Sequence, residues 1–390
     1  MAPIRTCVLG VGLAGLTFHI PFVLAHPELF TLRAVLERKP TSPGGKLAER
    51  FGPSSAEGVR IYNSLDQVLA DQDIELVIVG TPSETHYKFS KRILESGKHV
   101  LVDKPITSTF QETLDLGQLA DSKNLILYPY QNRRWDTDFL ALRALLSLPK
   151  SDPRSLGNIY EFESRFDRYR STLKGTWKDL PLPANGLTFD LAAHLIDQVL
   201  VLFGRPAKVT AFIENLRGIG SPEVDDNFTI LLHYPPLPVA SEGVRPRSFT
   251  ALLRGTSLSV HSPQLRYVVR GTLGTFHKFG VDPQEDQLKV IKSPQEIVDA
   301  SNTQYGREPE EMYGTLESFA PGSEVEVVRS IWPSTARGEY AALFKDVASA
   351  IRNGTPPAVK WQESAEVIEI IELAHRSAMG GKTLEIPTRN

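Results

Sequence analysis

One cysteine and three methionines stand among 390 residues, neither sign of charge prevails, and no long hydrophobic run interrupts the chain. With Cys7 as the sole thiol there can be no internal disulfide and no cysteine-rich metal site, and its place in the run Cys7-Val8-Leu9 reads as a buried, inert thiol. The net charge of -3 comes from mixed signs, and basic clusters such as Arg133-Arg134 or Arg168-Tyr169-Arg170 are short. Nucleic acid and anionic membranes need a concentrated basic face, so neither is an expected partner. The longest apolar stretch, Leu191 to Phe203, is broken by His194, Asp197 and Gln198, which excludes it as a membrane span. Met1-Ala2-Pro3-Ile4-Arg5 shows no signal-peptide pattern, and a cytoplasmic location is the expectation.

What is present is ordinary globular material, 41% hydrophobic and 23% charged, long enough for two domains. From residue 4 to about 130 short β-branched runs alternate with amphipathic stretches, the pattern of βαβ units around a parallel sheet. Strands are expected at Thr6–Leu9, Leu32–Leu36, Leu76–Val79, His99–Val102 and Leu125–Tyr128, with helices around Glu84–Glu95 and Phe110–Ala120. Beyond about residue 155, runs such as Tyr160-Glu161-Phe162-Glu163 alternate in the manner of an antiparallel sheet with one wet face. Similar runs begin at Val209, Phe228, Phe249 and Tyr267. Pro235 to Pro246 reads as an exposed loop, Asp282 to Glu311 as a second loop-rich region, and Ala365 to Ala378 as a closing helix. The pattern is that of an α/β chain: a parallel sheet of βαβ units to about residue 130, then antiparallel strands beyond about residue 155.

Gly10-Val11-Gly12-Leu13-Ala14-Gly15 lies between the first strand and a stretch that can coil, which is the context a dinucleotide site requires. The first glycine permits the bend, the second lets backbone approach a pyrophosphate, and the third lets helix and strand pack closely. Glu37, twenty-two positions after Gly15, can accept hydrogen bonds from the ribose hydroxyls of NAD. Arg38 and Lys39 follow it and could instead hold the 2′-phosphate of NADP if Glu37 turns aside. Thr81 and Pro82, at the end of another strand, could wall the nicotinamide side of the cleft, and His86 reads equally well as a structural helix residue.

Lys104 follows the strand His99–Val102 and is placed at the same sheet edge. A helix is expected from Gly186 to Phe203. At about 100° per residue, His194 falls about 40° and Asp197 about 20° from the direction of Asp190 on that helix. Three ionisable groups then share one stripe of an otherwise apolar helix. Burying them requires hydrogen bonds or a cavity, so the stripe is either the wall of a polar cleft or a structural network. No second histidine stands nearby in a metal-binding spacing, and no metal is expected. Oxidation of an alcohol needs a base for the hydroxyl proton and a cation or donor for the alkoxide. His194 suits the base, Asp190 the orientation of His194 and the substrate hydroxyl, and Lys104 the alkoxide or a proton relay.

Taken together, the glycine turn, the Lys104-Pro105 pair and Asp190-x-x-x-His194-x-x-Asp197 resemble the glucose-fructose oxidoreductase and inositol dehydrogenase family, Gfo/Idh/MocA. Tyr130-Gln131-Asn132-Arg133-Arg134-Trp135-Asp136, Arg168-Tyr169-Arg170 and Gly280–Asp286 are similar to its NADP-dependent scyllo-inositol dehydrogenases. The resemblance implies an α/β fold with a doubly wound Rossmann domain over 1–130 and an α/β domain with an open, mostly antiparallel sheet over 131–390, sheet-mediated homodimers or homotetramers, Lys104, Asp190 and His194 at catalytic positions, Lys104 and Pro105 beside the cofactor, and Asn132 and Arg133 near the substrate. It implies a cyclic polyol or sugar as substrate, inositols first, with NADP or NAD. Asp103 stands where the family carries glutamate, and Ala192 where it carries glycine. A ligand-sensing regulator of the same family is the alternative, against which the retained Lys104, Asp190 and His194 weigh.

Overall fold

The computed structural model describes residues 2–236 and 248–388, so the proline-rich tract beyond Pro236 lies outside the described residues. Two compact units divide the chain. The first runs to Asp136 and takes in Pro283–Arg307 and Gly338–Ile368; the second holds Thr137–Asp282, Glu308–Arg337 and the chain from Glu369.

In the first unit, apolar β-branched runs form six parallel strands: β1 (Ile4–Leu9), β2 (Phe30–Leu36), β3 (Arg60–Tyr62), β4 (Leu76–Val79), β5 (His99–Val102) and β6 (Leu127–Pro129). Their order is β3-β2-β1-β4-β5-β6, so the winding reverses between β1 and β4 and leaves a crevice at the carboxyl ends of these strands. β4 is buried along its whole length, as expected of a parallel strand covered on both faces. Alternate residues divide between two cores. Cys7, Leu9, Val77, Val79, Val100 and Val102 share one cluster with Leu65 and Val68 of α3 (Leu65–Ala70), Ile93 and Leu94 of α4 (His86–Glu95) and Leu116 of α5 (Phe110–Ser122). Val8, Ile78, Leu101 and Tyr128 belong to the other, with Phe22 and Val23 of α1 (Ile20–Ala25) and Leu47 of α2 (Gly45–Phe51). That second core is completed by Tyr340, Leu343, Phe344 and Val347, from a helix more than two hundred residues later in the chain. Phe344 stacks on Phe22 with ring centroids 4.8 Å apart. At Cys7, burial pushes the thiol well above its ordinary range, so it is an unreactive core group.

Two elements of this unit depart from expectation. β3 has three residues, too few to show an alternating pattern. The tract from Asp282 to Glu311, expected to be loop-rich, contains a helix at Gln284–Val290 and a short 3₁₀ turn at Pro294–Ile297. Its surface is polar, but Leu288, Ile291 and Ile297 are buried in the first unit's core, and three anchors among charged residues are a weak periodic signal.

The second unit is built on a nine-stranded sheet: β7 (Ile159–Arg165), β8 (Lys208–Glu214), β9 (Asn227–Tyr234), β10 (Phe249–Thr256), β11 (Leu265–Gly271), β12 (Gly274–Phe279), β13 (Gly314–Phe319), β14 (Val327–Trp332) and β15 (Leu384–Glu385). The order is β14-β13-β12-β11-β7-β10-β9-β8-β15, antiparallel except for the parallel pair β7–β10. β9 alternates buried and half-buried residues along its whole length. The helices of this unit include α6 (Thr137–Leu146) and α7 (Ala193–Phe203). Phe203 at the end of α7 meets Phe162 of β7 at 5.2 Å and Phe249 of β10 at 4.6 Å, which seats the helix on the sheet.

Candidate active site

In the first unit the glycine turn follows β1 at the point where the winding reverses. Gly10 has φ +94°, a left-handed conformation that glycine adopts without strain. A Cβ on Gly15 would stand 1.9 Å from the carbonyl oxygen of Gly10, so only hydrogen fits where the following turn packs on the strand. A Cβ on Gly12 would meet nothing within 4 Å. The backbone there is open, and Leu13 beside it is 63% exposed. Ala14 precedes a π-helical turn, Gly15–His19, that leads into α1. Bend, open face and close packing are thus distributed over the three glycines as a pyrophosphate cradle requires.

Glu37 ends β2 and is buried. One carboxylate oxygen accepts the Lys46 N–H at 3.1 Å, in the first turn of α2. A Cβ on Gly45 would come within 2.1 Å of that same oxygen. Arg38 and Lys39 are exposed. The carboxylate therefore turns inward to the start of a helix, where negative charge is favoured, and the two cations remain at the surface.

Thr81 and Pro82 follow β4, and Lys104 and Pro105 follow β5. His86 joins these two loops and so has a structural part: its Nδ1 lies 2.7 Å from the carbonyl oxygen of Pro105 and its Nε2 2.8 Å from that of Thr81. Asp103 accepts the Lys104 N–H at 2.7 Å and stands 3.5 Å from Nε2 of the fully buried His19. Burial alone would raise the Asp103 carboxyl, but His19 and the charges of Lys104 and His86 outweigh it and hold the group below its ordinary value. Asn132 and Arg133 lie in a 3₁₀ turn after β6, both buried, and the Arg133 guanidinium pairs with Asp136 at 3.3 Å and Glu285 at 2.6 Å.

The second unit holds Asp190, His194 and Asp197. The helix expected from Gly186 is not uniform: a π-helical turn spans Thr188–Ala192, and the α-helix α7 begins at Ala193. A π turn rotates less per residue than an α turn, so the angle expected between Asp190 and His194 does not hold, and such turns recur at functional sites. Asp190 has a side chain 19% exposed, whereas His194 and Asp197 are buried. Asp225, two residues ahead of β9, anchors the π turn: its carboxylate accepts both the Thr188 N–H and its hydroxyl at 2.7 Å. Gly186, with φ +102°, makes room, since a Cβ there would stand 2.0 Å from Oδ1 of Asp225. Further along, Gln198 accepts from Arg266 Nη2 at 2.9 Å and from the Tyr267 hydroxyl at 3.2 Å. Arg266 is itself buried and paired with Asp138 of α6 at 2.8 Å. The π turn is thus held at Thr188 and α7 at Gln198.

Around the Asp190 carboxylate three cations converge: Arg168 at 3.2 Å, Lys178 at 3.1 Å and Lys174 at 3.8 Å. Asp225, Arg266, Lys174 and Lys178 were not candidates from sequence, because each lies on a segment without periodic pattern or is a single polar residue in a strand. The short run Arg168-Tyr169-Arg170 was the one visible sign of this basic surface.

Burial brings the Asp225 carboxyl up to about 6, against the Thr188 hydrogen bonds that favour its ionised form. A raised value in the fold means that this group's contribution to stability is full below its ordinary 3.8 and lost as pH rises through 6. Between about pH 4 and about pH 8 the parent is expected to lose up to about 3 kcal/mol more unfolding free energy than Asp225→Asn. Urea unfolding at both pH values measures this, and parallel curves for the two proteins would show that Asp225 does not titrate there.

A parallel sheet in this winding order, carrying such a glycine turn at its reversal, defines a dinucleotide-binding protein of the Rossmann class. The chain belongs to the Gfo/Idh/MocA oxidoreductase family and is an oxidoreductase: the family model for the "NAD-binding Rossmann fold" matches residues 4–131, and that for the "C-terminal alpha/beta domain" matches 152–386. It is 39% identical to an uncharacterised oxidoreductase of Schizosaccharomyces pombe, covering 99% of this chain and 100% of that one. It is 32% identical to the scyllo-inositol 2-dehydrogenase (NADP(+)) IolW of Bacillus subtilis, covering 98% and 95%. The solved structure of the oxidoreductase yvaA from Bacillus subtilis superposes with a TM-score of 0.83 at 30% identity, covering 99% of each chain. No described helix is long and apolar enough to cross a membrane.

Proposed function

We propose that the chain is an NADP-dependent dehydrogenase that interconverts a secondary hydroxyl and a ketone on a cyclic polyol or sugar, inositols first. The observation that carries this reading is the π turn that sets the partly exposed carboxylate of Asp190 ahead of the buried imidazole of His194. The backbone of Gly10, Gly12, Leu13, Ala14 and Gly15 would hold the pyrophosphate, with Thr81, Pro82, Lys104 and Pro105 beside the nicotinamide, which accepts or supplies the hydride when bound. His194 takes the proton of the hydroxyl during oxidation and returns it during reduction. Asp190 orients the substrate hydroxyl and the imidazole. Lys104 steadies the developing alkoxide with its ammonium charge. The relationship to a scyllo-inositol 2-dehydrogenase supports the choice of inositols.

Cofactor choice rests on Glu37. Its carboxylate is engaged at the start of α2, which leaves Arg38 and Lys39 as the charges available to a 2′-phosphate. Arg38→Ala is expected to lower the ratio of kcat/KM with NADP to that with NAD by about tenfold, and Glu37→Gln to leave it within about twofold. A ratio that moves with Glu37 and not with Arg38 reverses the assignment. The function is tested by steady-state rates on inositols, aldoses and deoxysugars with NADP and NAD side by side. Failure of every compound with both cofactors, in protein that binds dinucleotide, overturns it.

A further inference from the structure

The basic surface around Asp190 carries more charge than the proposed hydroxyl chemistry uses. Arg168, Arg170, Lys174 and Lys178 surround the two carboxylates Asp179 and Asp190. Asp179 is turned to backbone, accepting the Thr176 N–H at 3.1 Å. Arg217 adds nothing to the balance, since it is paired with the buried Asp226 at 2.7 Å and its guanidinium is tied to the carbonyl oxygen of Thr172 at 2.9 Å. One carboxylate, Asp190, thus answers Arg168, Lys174 and Lys178 together, and among the described residues Arg170 has no carboxylate within ion-pair distance.

Crowding like charges costs free energy unless an anion joins them. Lys174 lies below the ordinary lysine range, at about 8, first through burial and then, against the pull of Asp190, through Lys178, Arg168 and Arg170. Arg170 is lowered in the same way, by burial first and then by Arg168 and Arg217. These side chains are not sealed in the core: Arg168, Lys174 and Lys178 are 30%, 27% and 38% exposed, so an incoming group can reach them. Neutral hydroxyls need one or two donors or acceptors each, and a surplus of positive charge strengthens their hydrogen bonds less than those of an anion.

We propose that the substrate carries an oxyanion, a carboxylate or a phosphate ester, on the polyol or sugar that bears the reacting hydroxyl, and that Lys174, Lys178 and Arg170 bind it. This rests on the reading of Asp190 and His194 as the reacting groups. Arg168 stays with Asp190, while the oxyanion takes the lysines that the single carboxylate cannot neutralise. Guanidinium and ammonium donors aimed at one oxyanion give charge-assisted hydrogen bonds, stronger than those a hydroxyl makes.

The test compares kcat/KM within matched sets: inositol against inositol monophosphate, and glucose against glucuronate and glucose 6-phosphate. The expected result is an advantage of about tenfold or more for one anionic class over its neutral parent, shrinking as salt is added. Whether glucuronate or the two phosphate esters show it distinguishes a carboxylate from a phosphate ester. Lys174→Gln/Lys178→Gln, checked for an unchanged unfolding midpoint, should bring the ratio towards one, chiefly through KM. On the unaltered enzyme, inorganic phosphate should compete with the anionic substrate, a readout that does not depend on the variant folding. Neutral parents used as well as or better than their anionic partners overturn the inference and leave the polyol dehydrogenase reading standing. Absence of turnover for every compound, neutral or anionic, overturns both.

Discussion

Replacing His194 with alanine is expected to lower kcat by about 10²- to 10⁴-fold while leaving dinucleotide affinity nearly unchanged. His194 is buried near the start of α7, whereas the glycine turn belongs to the first unit, so the two functions are separable by mutation. On the proposed mechanism the loss is large because the alcohol proton must leave as the hydride does, and His194 is the group that takes it. If His194 were only a core residue, its removal would lower stability and spare the rate of the folded fraction. Single-turnover rates and dinucleotide titration on protein of verified fold separate these outcomes. A variant that turns over at the parent's rate ends the assignment.

A comparable loss, in binding rather than chemistry, is expected from Gly15→Ala. Its Cβ would meet the Gly10 carbonyl oxygen at 1.9 Å, and that oxygen belongs to backbone pinned between neighbouring strands, where the Gly10 N–H donates to Leu36 at 3.3 Å. Turn and strand must separate, at a cost of about 1–3 kcal/mol or more, and the cradle is lost with them. Gly12→Ala makes the informative contrast. Nothing lies within 4 Å of its added methyl, so the fold and its melting temperature are retained while the space for a pyrophosphate is filled. Thermal unfolding with and without dinucleotide reads both effects: Gly15→Ala lowers the midpoint in each condition, and Gly12→Ala loses only the cofactor-dependent increment. Equal behaviour of the two variants would show that the three glycines do not divide the work in this way.

Much of the first unit was legible because its signals are local. Cys7-Val8-Leu9 and Leu76-Val77-Ile78-Val79 are continuous apolar runs, as strands covered on both faces must be, and the glycine spacing between β1 and the next turn is chemically specific. The antiparallel strands of the second unit announced themselves by alternation, as at Phe228–Leu232. β3 was silent at three residues, and the helix Gln284–Val290 was hidden by its charged surface.

Residue types and their spacing along the chain were enough to establish the parallel and antiparallel halves and the dinucleotide turn, and to nominate Lys104, Asp190 and His194 as candidates, because propensity, periodicity and glycine geometry act over a few residues. Three matters waited on the folded chain. The π turn at Thr188–Ala192 depends on Asp225, thirty-seven residues from Thr188, and no helical periodicity could foresee it. The inward turn of Glu37 depends on the N–H of Lys46 and on the absence of a side chain at Gly45. The basic ring on Asp190 assembles Arg168, Lys174 and Lys178 from an irregular segment. In each case the deciding partner is brought close by the path of the backbone, and Coulomb and hydrogen-bond energies depend on distance in space rather than along the chain.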